Sequence, residues 1–100
     1  MTHSNLQGQY LNTLRHFQQE YGAKYGITRI GIFGSVARGE QTEESDVDVL
    51  VEAPTIDAFS LAGVRLRLEE MLSVPVDVVR KSDYLPEKFK ARIEKEVIYV

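Results

Sequence analysis

Asp46-Val47-Asp48 opens a run that continues Val49-Leu50-Val51, and Asp77 interrupts a second run, Val76-Asp77-Val78-Val79. Carboxylates planted in strand-like apolar segments are costly unless something compensates their charge. A divalent cation is the compensation that three such groups can share. Mg²⁺ is a hard ion that takes oxygen ligands and commonly shares them with substrate phosphates. Two such ions can hold the attacking and leaving oxygens of an in-line displacement. The bland alternative is that these aspartates end strands and form surface ion pairs. It is weaker for Asp48 and Asp77, each flanked by valines, than for Asp46 beside a loop.

Upstream, Gly34-Ser35 ends a third apolar run, with positions 36 to 45 between it and Asp46. Glycine lets the backbone turn sharply and approach a ligand closely. Ser35 would then offer a hydroxyl and a backbone N–H at the start of a helical turn, a place where exposed N–H groups bind anions. A triphosphate would fit there, facing carboxylate-bound metal. Alone, Gly-Ser is an ordinary turn and helix cap. With residue frequencies near ~6%, however, four specified residues at fixed spacing arise by chance in on the order of one chain in a thousand of this length. Arg38 is placed either to contact phosphate or to hold the loop by pairing with a carboxylate. Gly39 is expected to end the turn in a left-handed conformation. Glu40, Glu43 and Glu44 read as a solvated loop, and His3 and His16 lack partners at ligand or triad spacing.

The elements that must position these residues follow from periodicity. Tyr10, Leu11, Leu14, Phe17 and Tyr21 recur at three- and four-residue spacing and predict a helix over 4–24. Ile27 to Phe33 reads as a strand, Ser35 to Gly39 as one helical turn, and Asp46 to Glu52 as a second strand. A helix over 57–73 carries Leu61, Val64, Leu68 and Met71 on one stripe. A strand over 75–80, a helix from Pro86 and a short strand within 97–100 complete the chain. The segment between Gly34 and Asp46 is tight for a parallel crossover, so the first two strands are expected to pair antiparallel. The helical connection between the second and third permits a parallel pair. The fold class is α/β (α+β), a small mixed sheet with flanking helices. Alternation along the strand puts Asp46 and Asp48 on one face with Leu50, and Val47, Val49 and Val51 on the other. The tyrosines read as core and helix-face residues.

Composition sets the limits. The 100 residues are expected to form one domain, 43% hydrophobic and 27% charged, which argues against disorder. No apolar stretch is long enough to span a bilayer, and the first residues lack a signal-peptide pattern. There is no cysteine for a disulfide or thiolate site. A cytoplasmic location fits these features. The net charge of −3 argues against a dedicated nucleic-acid binder. Lys88, Lys90, Arg92 and Lys95 form a local basic cluster, read as a solvated helix face or a docking surface for an acidic partner or phosphate.

Gly34-Ser35-Val36-Ala37-Arg38-Gly39 followed by Ser45-Asp46-Val47-Asp48 resembles the signature of the DNA polymerase β-like nucleotidyltransferases, and the small size resembles that superfamily's minimal members. The likeness runs from about Ile27 to Arg80 and implies the polymerase β-like nucleotidyltransferase fold. It also implies Mg²⁺, as two ions, and ATP as substrate. By this resemblance Asp46 and Asp48 ligate metal, Asp77 ligates metal and accepts the acceptor hydroxyl's proton, and Gly34 and Ser35 hold the β- and γ-phosphates. Larger relatives carry an extra domain for the acceptor, for which 100 residues are not expected to leave room. The resemblance to antitoxin-type members implies a HEPN-type toxin as partner and AMP transfer to a tyrosine on it. Two other readings stay open: a module that neutralises its partner by occlusion without catalysis, and a nucleotidyltransferase for a small molecule or RNA working with a separate substrate-binding subunit.

Overall fold

The computed structural model describes residues 2–42 and 44–100, with side chains from residue 6 onward. Helix α1 (Thr2–Tyr25) leads into β1 (Arg29–Phe33), then β2 (Val47–Glu52), α2 (Ala58–Leu72), β3 (Val76–Arg80), α3 (Glu87–Glu96) and β4 (Ile98–Tyr99). The strands form one sheet in the order β3-β2-β1-β4. β1 pairs antiparallel with β2, as the short connection predicted, and with β4, whereas β2 and β3 run parallel, as their helical connection permits.

The first strand starts two residues later than periodicity suggests. Ile27 belongs to the end of α1: its N–H reaches the Gly22 carbonyl at 2.8 Å, and the N–H of Gly26 reaches that of Ala23 at 3.2 Å. This paired closure needs a left-handed residue, and Gly26 supplies it at φ 67°. α2 begins where Asp57 accepts a hydrogen bond from the N–H of Ser60 at 2.7 Å.

The sheet is covered on both faces. Ile30, Ile32, Val47, Val49, Val51 and Val76 pack against Leu14 and Phe17 of α1 and Val64 and Leu68 of α2. On the opposite face Phe33 and Leu50 pack with Ile93 of α3. Gly31 admits β4 at the edge, since a Cβ there would sit 2.7 Å from the Ile98 carbonyl oxygen. Of the tyrosines, Tyr10 is buried and Tyr21 and Tyr25 pack on the core, but Tyr84 projects into solvent at 97% exposure. His16 is exposed, while the side chain of His3 and all of Glu43 lie outside the described residues.

Candidate functional site

The face that carries α3 is also the face that carries the carboxylates. Asp48 lies opposite Phe33 of β1 and in register with Asp77 of β3, so the two carboxylates sit side by side on adjacent parallel strands. Two contacts set that register at the strand mouths. The N–H of Val47 reaches the Pro75 carbonyl at 3.0 Å, and the N–H of Val76 donates to the Glu69 carboxylate at 3.0 Å. Asp46 stands one residue ahead of β2 and is exposed, as is Asp77; Asp48 is half-buried.

The Asp48 carboxyl is raised above its ordinary range. Burial is the main cause, followed by the negative charges of Asp77 and then Asp46, and the Arg92 and Arg38 guanidinium groups oppose the rise. Asp77 and Asp46 thus both bear on Asp48. The three do not form a preformed cage: among the described residues, no three His, Cys, Asp or Glu side chains stand close enough to hold a metal ion. Uncompensated like charges spread apart, and Mg²⁺ is ordinarily held by only one or two carboxylates, with water and substrate phosphate completing its shell. A pair of aspartates in register, with a third nearby, is an all-oxygen donor set that fits that ion arriving with a polyphosphate.

The Gly-Ser segment closes over the same spot. Gly34 is buried at φ 77°, and a Cβ there would collide with the Asp48 carboxylate. Residues 34–39 make one helical turn, with Arg38 N–H reaching the Gly34 carbonyl at 3.1 Å and Glu40 N–H reaching that of Ser35 at 2.9 Å. Gly39, at φ 73°, ends the turn as expected. Val36 buries itself in the core, and Gln7 of α1 donates to the Val36 carbonyl at 2.8 Å. The turn is thus pinned from below and leaves Ser35 half-exposed, one residue on from the Gly34 that meets Asp48.

Of the two roles open to Arg38, the structure displays the pairing one. Its Nε donates to Glu40 at 3.0 Å and its Nη1 to Glu96 at 2.8 Å. Glu40 is accordingly a partner as well as an exposed loop residue. Glu96, the last residue of α3, also accepts from the Gly34 N–H at 3.1 Å. Neither Glu96 nor Gln7 stands out in the sequence, because each lies far along the chain from the turn it holds. The single local hint is that an acid at the carbonyl end of a helix opposes the helix dipole. Arg92, read as part of a basic helix face, is close enough to act on both Asp48 and Glu96.

Residues 13–100 match the nucleotidyltransferase domain family, and the chain belongs to it. It is similar to the protein adenylyltransferase MntA of Thermococcus cleftensis, 39% identical over 85 residues that cover 83% of this chain and 84% of that protein. A solved structure provisionally assigned as a minimal nucleotidyltransferase superposes with a TM-score of 0.72 at 32% identity, covering 98% of this chain and 95% of the other. A toxin–antitoxin structure with AMP-PNP shares the fold at a TM-score of 0.73 and 21% identity, over 88% of this chain and 69% of the other.

Proposed function

We propose that the protein is a Mg²⁺-dependent adenylyltransferase that moves AMP from ATP to a hydroxyl, a tyrosine of a HEPN-type toxin partner, and so acts as an antitoxin. The observation that carries the chemistry is the register of Asp48 with Asp77 directly beneath the Gly34-Ser35 turn. The target rests on the similarity to a named protein adenylyltransferase and on the fold shared with a toxin–antitoxin structure.

In this reading Asp46, Asp48 and Asp77 hold the metal, and Gly34 and Ser35 bind the β- and γ-phosphates through backbone N–H and hydroxyl. When bound, Mg²⁺ neutralises the developing charge on the phosphates and orients them. Asp77, exposed on the edge strand β3, takes the proton of the acceptor hydroxyl. The hydroxyl oxygen bonds to the α-phosphorus as the bond to the β-phosphate bridging oxygen breaks, and pyrophosphate leaves. Arg38 adds positive charge at the phosphates with the N–H groups its two carboxylates leave uncommitted. Among the described residues no helix is long and apolar enough to cross a membrane.

The test is incubation of the protein with each α-labelled nucleoside triphosphate, Mg²⁺ and the product of the neighbouring gene. The reading expects label from ATP on a partner tyrosine. Absence of label, combined with neutralisation of the partner by both wild type and Asp48→Asn, would establish occlusion instead.

A further inference from the structure

We propose that Glu96 is a positioning residue for nucleotide binding, setting both the Gly34-Ser35 turn and the Arg38 guanidinium against the aspartates. The inference rests on the nucleotidyltransferase reading above. Glu96 gathers three groups of the 34–39 turn and α3 on one carboxylate. Its Oε1 accepts from the Gly34 N–H at 3.1 Å, its Oε2 accepts from Arg38 Nη1 at 2.8 Å, and Arg92 Nε lies 4.0 Å from the same Oε2. The side chain is only 13% exposed, while Arg38 and Arg92 are 39% and 59% exposed. A carboxylate there is disfavoured twice, by burial and by the carbonyl end of α3. Burial pushes its carboxyl up, but the hydrogen bonds from Arg38 and Gly34 and the charges of Arg38 and Arg92 prevail, so the net shift is downward. The ion is held because the turn and the arginines need it.

Geometry then assigns what it holds them for. Gly34 is the residue whose backbone lies against the Asp48 carboxylate, so fixing its N–H fixes the gap between turn and metal ligands. Guanidinium carries donors on three nitrogens. Among the described residues Glu40 engages Nε and Glu96 engages Nη1, which locks the plane and leaves Nη2 uncommitted. A guanidinium fixed by two carboxylates presents that free edge at lower entropic cost than a mobile one.

The experiment is calorimetric binding of Mg·ATP to wild type, Glu96→Ala, Glu96→Gln, Arg38→Ala and the double variant Arg38→Ala/Glu96→Ala. Glu96→Ala is expected to weaken Mg·ATP binding by about ten-fold, a change of the size that loss of a charge-assisted contact causes. Glu96→Gln, which keeps an oxygen for the Gly34 N–H, is expected to fall between. The double variant is expected to bind less weakly than the product of the two single losses, because the residues act as one unit. If Glu96→Ala does not fold, Glu96→Gln carries the test by the same comparison with wild type. Unchanged or tighter binding by the folded Glu96 variants overturns the inference, as does strict additivity with Arg38→Ala. A wild type that does not bind Mg·ATP overturns the nucleotidyltransferase reading itself.

Discussion

Asp48 holds its charge against its surroundings. A carboxyl raised by burial and by Asp77 and Asp46 binds a proton more readily in the folded chain than in the unfolded one. Such a group stabilises the fold only when protonated, below its unfolded pKa, and that contribution is lost as pH rises through the raised folded pKa. At neutral pH the Asp48 carboxylate therefore costs the fold stability. Asp48→Asn is expected to keep or raise the melting temperature at pH 7, with a stability gain of no more than about 1 kcal/mol because water screens a half-buried carboxylate. Melting curves should show that gain shrinking as pH falls into the carboxylate range. Gly34→Ala is the opposite case. A Cβ would meet Asp48 at a left-handed backbone angle, so the variant should lose about 1–3 kcal/mol of stability in denaturant titration and bind nucleotide poorly. Asp46, Asp48 and Asp77 could be singled out because acids within valine runs violate local expectation, and Gly34 and Ser35 because of their spacing ahead of the first two. Glu96 and Arg92 could not: on a helix with polar residues all along it, only the weak signal of an acid at the carbonyl end hints at a charge aimed inward.

The elements divide their labour across the sheet. α1 and α2 supply the packed side, where Phe17 is fully buried and lies 5.4 Å from the Tyr21 ring, centroid to centroid. Phe17→Ala should therefore cost about 3–5 kcal/mol in chemical denaturation, whatever its effect on nucleotide binding. α3 covers the other face lightly, through Ile93 and Phe89 with Leu85 just ahead of the helix, and ends in Glu96, which holds the Gly34-Ser35 turn. The helices and strands were readable from period and from Gly and Pro punctuation, to within a few residues. The start of β1 was not, because Ile27 looks like a strand residue yet its N–H closes α1. Connection length pointed to an antiparallel first pair and permitted a parallel second one, but the register that sets Asp48 beside Asp77 is visible only in the structure.

For the molecule as a whole, the carboxylates lie at one end of β2 and β3, on the face that carries α3. Under the proposed function another protein supplies the acceptor. Binding of ligand only to the folded state adds stability by mass action. Saturating Mg·ATP is thus expected to raise the melting temperature by several degrees, since 100-fold excess over the dissociation constant is worth about 2.7 kcal/mol. Addition of a chelator should erase most of that shift, and its persistence without divalent cation would remove the metal from the account. The identity of the acceptor was never legible in the residues, because no side chain here reads it; it came from resemblance.

The central claim is that aspartates on neighbouring parallel strands, facing a glycine-serine turn, carry out nucleotidyl transfer. It is tested most directly by following α-labelled ATP onto the partner protein with wild type and Asp48→Asn in parallel, each confirmed folded by its melting curve. Label accumulating with wild type and Mg²⁺, and falling at least about 100-fold with Asp48→Asn, is the expected result. Equal labelling by the two proteins would contradict it.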